Sequence, residues 1–133
     1  MPADVEPAAT ILVVEDDDPL RMVLDVILSD HGYVVLAAGH GEEARALAAE
    51  HPAPIDALVT DFQLPEMTAR ELIEAVRAER PGLKVLVISG HPSDGVPGPP
   101  LPEDIAFLRK PFSDVALLES VEQLLERGPR IPA

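Results

Sequence analysis

Short apolar runs separated by longer amphipathic stretches are the feature that most constrains how this chain can fold. The runs fall at residues 11–14, 34–37, 57–60, 85–88 and 105–108. Each is continuous and rich in Val, Ile and Leu rather than alternating with polar residues. Continuous runs suit strands covered on both faces, as in a parallel sheet. The stretches between them carry a helical period. Leu20, Leu24, Ile27 and Leu28 share one face of a first helix, which Gly32 closes. Residues 42–50 are Ala-rich, with Ala44, Leu47 and Ala48 on one side. Ala69, Leu72, Ile73 and Val76 repeat the i, i+3, i+4, i+7 spacing before Pro81 and Gly82 end that helix. Leu117, Leu118, Val121, Leu124 and Leu125 do the same up to Gly128 and Pro129. Strand–helix alternation of this kind predicts a doubly wound α/β sandwich with right-handed crossovers.

One slot breaks the alternation. Residues 91–104 read HPSDGVPGPPLPED, and five of the chain's 15 prolines fall there. An interior proline costs about 3 kcal/mol in a helix, so an extended or polyproline-like loop is expected, with one turn near 102–104. The whole chain of 133 residues reads as one domain with a core over about 10–127 and flexible tails at 1–9 and 128–133.

Composition removes several functional classes. With no cysteine, disulfide frameworks, zinc thiolate sites and cysteine nucleophiles are excluded. A formal net charge of −14 argues against binding a nucleic-acid backbone or an anionic membrane, both of which need a basic footprint. No apolar run approaches the ~18 residues of a membrane span, and residues 1–10 lack the pattern of a signal peptide. A cytoplasmic protein is expected.

The polar residues cluster at the strand ends. Val14 is followed by Glu15, Asp16, Asp17 and Asp18, Thr60 by Asp61, Ile88 by Ser89, and Leu108 by Arg109 and Lys110. In an open parallel sheet those ends line one crevice, where ligands bind at the topological switch point. Asp18 before Pro19 suits a helix N-cap with proline in the first helical position, and Asp17 suits the positive end of the helix dipole. Neither role accounts for Glu15 and Asp16. Together with Asp61 they form a group of carboxylates that repel one another unless a cation intervenes, and all-oxygen donors suit Mg²⁺. A carboxylate such as Asp61 can also act as a nucleophile towards phosphorus. Lys110, one of two lysines in the chain, can pair with a phosphoryl oxygen or with Asp61 at rest, and Ser89 can donate to a phosphoryl oxygen. Those are the parts that phosphoryl transfer requires.

At these residues the chain resembles the response-regulator receiver domains of two-component signalling, which are CheY-like. The resemblance covers roughly residues 10–127 and rests on ILVVEDDDPLR, DALVTDFQLPEM, VLVISG and FLRKPF. It implies a five-stranded parallel sheet of order 2-1-3-4-5 with helices on both faces. It implies that Asp61 is the phosphoacceptor and a metal ligand and that Asp16 binds Mg²⁺ (or Mn²⁺) directly. Glu15 would act through water, and the backbone carbonyl of Gln63 would complete the set. Ser89 matches the Thr/Ser switch position, Lys110 the invariant lysine ahead of a cis Pro111, and Phe107 the switch aromatic.

Departures from the family pattern are also legible. Phe107 lacks the hydroxyl of a switch tyrosine, so any switching there acts through packing. Ala69 stands where the family often has glycine. His91 and Gln63 are placed to tune phosphate lifetime. The family's fourth helix is expected to be absent or replaced by the proline-rich loop. The leading expectation is a stand-alone receiver, not an enzyme with separate turnover, that takes a phosphoryl group from a histidine kinase or a histidine phosphotransfer protein. No output domain is expected beyond the last helix, so a protein partner would carry the signal. The alternatives are a receiver-like binding module that takes no phosphate and an Asp-nucleophile metal-dependent phosphatase.

Overall fold

A computed structural model describes residues 8–90 and 104–127. Its strands are β1 (Thr10–Val14), β2 (Val34–Ala38), β3 (Ala57–Asp61), β4 (Lys84–Ser89) and β5 (Ala106–Arg109). All pair in parallel, in one sheet of order β2-β1-β3-β4-β5. Four helices lie among the described residues, α1 (Asp18–Asp30), α2 (Gly41–Glu50), α3 (Ala69–Glu79) and α4 (Asp114–Arg127). None is long and apolar enough to cross a membrane.

Strand pleating sends successive side chains to opposite faces, so each apolar run feeds two cores. Ile11 and Val13 pack with Leu24 and Leu28 of α1 and with Leu117, Val121 and Leu124 of α4. Leu12 and Val14 pack with Ala44 and Ala48 of α2 and with Leu72, Ile73 and Val76 of α3. Every residue of β1 and β3 is buried, which is why these runs are continuous rather than alternating. Strand ends differ from the expected runs by a residue, and Ile105 lies just ahead of β5 rather than within it.

The helix ends show local chemistry that the apolar period does not report. Asp17, not Asp18, caps α1: its backbone is extended, and its carboxylate accepts the Leu20 N–H at 3.4 Å. The turn completes one residue earlier than expected because the Glu15 carboxylate takes the Asp17 N–H at 3.1 Å. Asp18 is thereby already helical, and it pairs with Arg21 at 2.6 Å. At the other end Gly32 adopts φ 103°, Tyr33 N–H donates to the Leu28 carbonyl at 3.1 Å, and Gly32 N–H donates to that of Ser29 at 3.0 Å. That left-handed cap is the stop expected of glycine. Thr68 and Glu71 form a reciprocal capping box at the start of α3. Ala69 is the first residue of that helix and is buried, so a side chain there imposes no backbone strain. The strained position is Glu66, at φ 68°.

The expected proline-rich loop, with His91 and the replaced fourth helix, falls on residues 91–103 and lies outside the described residues, as do most of the tails. Of that stretch Asp104 is described, in a turn held by Arg77 at 2.8 and 3.2 Å.

Candidate functional site

The sheet order places β1 beside β3, with Val14 in register with Thr60, so the residues following these two strands meet. β4 flanks β3 with Ile88 opposite Asp61, and β5 flanks β4 with Arg109 opposite Ser89. Glu15, Asp16, Asp61 and Lys110 are thus assembled from three strand ends by topology alone.

Within this group one carboxylate oxygen from each of Glu15, Asp16 and Asp61 lies within 4.8 Å of the others. Lys110 Nζ sits between two of them, 3.5 Å from Asp61 Oδ2 and 3.6 Å from Glu15 Oε1. The lysine is steered there by its backbone, whose N–H donates to the Ser89 carbonyl at 2.8 Å, and its peptide bond to Pro111 is cis. Gly90 gives the lysine stem room, since a Cβ there would stand 3.3 Å from Lys110 Cδ.

Electrostatics divide the carboxylates. Glu15 is 1% exposed, and its Oε1 is buried without a hydrogen-bond partner. Burial pushes its carboxyl up to about 7, and repulsion from Asp61 adds to the effect, while the Asp17 N–H and Lys110 oppose it. Asp61 is likewise raised, first by burial and also by Asp16, with Lys110 and the Gln63 N–H (3.4 Å to Oδ1) holding it down. Asp16 is exposed and presents its carboxylate at the mouth. One ammonium does not balance three carboxylates. The buried Glu15 oxygen, which has Lys110 at ion-pair distance but no hydrogen bond, and the all-oxygen donor set fit a hard divalent ion such as Mg²⁺.

Comparison with known proteins agrees with this geometry. The model of the "Response regulator receiver domain" family matches residues 11–122. The chain belongs to that family. The receiver is 36% identical over 126 residues to the sensor kinase CckA of Brucella abortus, covering 93% of this chain but 13% of that protein. It is 33% identical over 116 residues to the response regulator receiver protein CpdR of the same species, covering 86% of this chain and 95% of that one. Among solved structures, the receiver domain of the hybrid histidine kinase CckA superposes with a TM-score of 0.75 at 33% identity, covering 88% of this chain and 99% of that one. The chain is therefore a receiver domain of two-component signalling, and receivers are regulatory modules rather than substrate-turnover enzymes.

The other expected residues sit at different distances from the cluster. Ser89 ends β4 and is half-buried, and Gln63 follows Asp61 by two residues. Phe107 pairs with Val87 on the α2–α3 side of the sheet and is 59% exposed. Sequence reasoning missed Arg21, whose Nη1 donates to the Glu15 carbonyl at 2.9 Å. No local pattern marks that contact, because it joins a strand end to a helix.

Proposed function

We propose that the receiver accepts a phosphoryl group on Asp61 from the phosphohistidine of a histidine kinase or histidine phosphotransfer protein. A carboxylate oxygen of Asp61 bonds to phosphorus as the phosphorus–nitrogen bond of the donor breaks, and the electron pair returns to the donor imidazole. Asp16, Asp61, Glu15 (through water) and the Gln63 carbonyl would hold Mg²⁺ or Mn²⁺. The ion supplies charge neutralisation between the acidic turn and the incoming phosphoryl oxygens. Lys110 exchanges its contact with Asp61 for one with a phosphoryl oxygen, and the Ser89 hydroxyl donates to another. The added charge, about −2 at the phosphoryl group, then reorganises the surface around Ser89 and Phe107, with Phe107 responding through packing, and a protein partner reads it. Gln63 and His91 tune the phosphate lifetime.

The observation that carries this reading is Asp61, buried and raised, held 3.5 Å from Lys110 inside a carboxylate cluster in which a buried Glu15 oxygen lacks a hydrogen bond. Incubation with Mg²⁺ and acetyl phosphate is expected to add one acid-stable, base-labile phosphoryl group, detected by intact mass. Asp61→Asn removes it. An unlabelled wild type, under conditions where a control receiver is labelled, refutes the proposal and favours a binding module that takes no phosphate.

A further inference from the structure

The acidic turn between β1 and α1 must keep two carboxylates pointed at a third against their mutual repulsion. The Glu15 peptide is the pivot of that turn. Its N–H donates to the Ala38 carbonyl at 3.0 Å, continuing the β1–β2 ladder for one bond past the last strand residue. Its Oε2 accepts the Asp17 N–H at 3.1 Å. Its carbonyl has left the sheet and takes its donor from Arg21 Nη1 at 2.9 Å.

The guanidinium is itself held. Nη2 pairs with Asp18 at 2.6 Å, so one planar group ties the strand end to the first turn of α1. Space for it is set aside at Gly39, where a Cβ would stand 3.1 Å from Nη1 and 3.7 Å from Cζ. The Gly39 peptide is fixed in turn by Glu43, whose Oε1 accepts its N–H at 2.8 Å. The arrangement is a fork with two different acceptors on two elements, which a lysine ammonium on a flexible stem does not reproduce.

We propose that Arg21 is a positioning residue for the divalent-cation site, fixing the Glu15 peptide so that Glu15 and Asp16 stay aimed at Asp61. The inference rests on the cation-dependent reading above and deepens it. Two roles for Arg21 make opposite predictions. If it acted only as a positive charge beside the site, its removal would strengthen cation binding. If it positions the turn, loss of the fork weakens binding even when the charge is kept. Pairing with Asp18 already offsets the charge, and the guanidinium meets the carbonyl of Glu15 rather than its carboxylate. Positioning is the role the contacts favour.

The test compares wild type with Arg21→Lys, Arg21→Gln and Gly39→Ala, using Mg²⁺ titration by calorimetry and Mn²⁺ titration by electron paramagnetic resonance. Urea unfolding in chelator reports folding separately, so a merely structural role is visible as lost stability without lost affinity. Both Arg21 variants are expected to bind Mg²⁺ about tenfold more weakly, the usual effect of removing a group that orients a ligand. Gly39→Ala, which keeps the arginine but crowds its guanidinium, is expected to lose less in the same direction. At saturating Mg²⁺ the labelling rate with acetyl phosphate is expected to return to within about twofold of wild type, as for a lesion in ion binding alone. Tighter binding in Arg21→Gln with an unchanged Arg21→Lys overturns the proposal, as do unchanged affinities in all three variants. A wild type that binds neither ion overturns the cation-dependent reading itself, and this inference with it.

Discussion

Glu15→Gln is expected to stabilise the metal-free receiver at neutral and alkaline pH, and the reason is proton linkage. Burial raises the Glu15 carboxyl from 4.5 to about 7 in the folded chain. Between those values the unfolded chain has released its proton and the folded chain still holds it. The folded state thus binds more protons, and stability falls as pH rises through the window. A shift of that size corresponds to about 3 kcal/mol, lost progressively between about pH 4.5 and pH 7 and flat above it. Asp61 is raised too, so it adds a decline of the same sign starting near its ordinary value of 3.8. Glutamine keeps the shape of Glu15 but does not ionise, so it removes the Glu15 part of the slope. The assay is urea denaturation in chelator at pH 5 and pH 8, with wild type and variant side by side. The expected result is near-equal stability at pH 5 and an advantage for Glu15→Gln approaching 3 kcal/mol at pH 8. Saturating Mg²⁺ should then close the gap, because an ion at a hundred times its dissociation constant adds about 2.7 kcal/mol to the species that binds it. Parallel pH profiles for the two proteins, or a less stable variant at pH 8, would refute the assignment of the raised carboxyl to Glu15.

Two further predictions concern the frame around the site. Glu66→Gly relieves a left-handed backbone at φ 68° and is expected to gain about 1 kcal/mol, less whatever glycine gives back in the unfolded chain, as read by urea midpoint. Unchanged or reduced stability would show that the loop carries no strain there. Arg80→Ala removes the donor to the carbonyls of Ala48, His51 and Ala53 at 2.8, 2.9 and 3.1 Å, and is expected to cost about 2 kcal/mol. Faster amide exchange in the last turn of α2 should accompany the loss. A cost below about 0.5 kcal/mol would mean that water replaces the guanidinium freely.

Much of the fold was legible because burial on two faces leaves a simple trace. A run such as residues 57–60 is apolar without alternation only if both its sides face a core, and β3 is buried at every position. The four carboxylate and amine groups of the site were legible for the same reason: a parallel sheet gathers its strand ends, so Glu15, Asp61 and Lys110 needed no proximity in sequence to be predicted together. What sequence reasoning missed depends on distances between elements or on the geometry of a single turn. Asp18 looks like the cap because Pro19 follows it, yet the carboxylate of Glu15 ends the turn a residue earlier. The Thr68–Glu71 box is a local T-x-x-E pattern, but the reading of that helix rested on its apolar period and did not name it. The contacts of Arg21 and Arg80 were not, since each joins backbone carbonyls of one element to a side chain of another. The backbone of Glu66 gave no signal either, because its residue type argues against a left-handed conformation.

Those arginine contacts also bear on why the carboxylate cluster could hold an ion. The chain holds 10 basic residues against 24 acidic ones. Among the described residues, Arg21, Arg77, Arg80 and Lys84 donate to backbone carbonyls at the ends of strands and helices. Neither α1 nor α2 has a basic residue in its own last turn, and the carbonyls at the α2 terminus are met instead by Arg80, the residue that follows α3. Cations committed to carbonyls are not in the carboxylate cluster. Among the described residues Lys110 is the one base within ion-pair distance of Glu15 and Asp61. A second internal cation would have quenched the cluster and left Asp61 a permanent partner. With Lys110 alone among the described residues, two carboxyls stay raised, and protons or a divalent ion from solution would relieve them. Acidification, metal binding and Glu15→Gln should therefore be partly interchangeable in their effect on stability, whereas under the proposed function only the metal would also help to place a phosphoryl group beside Asp61.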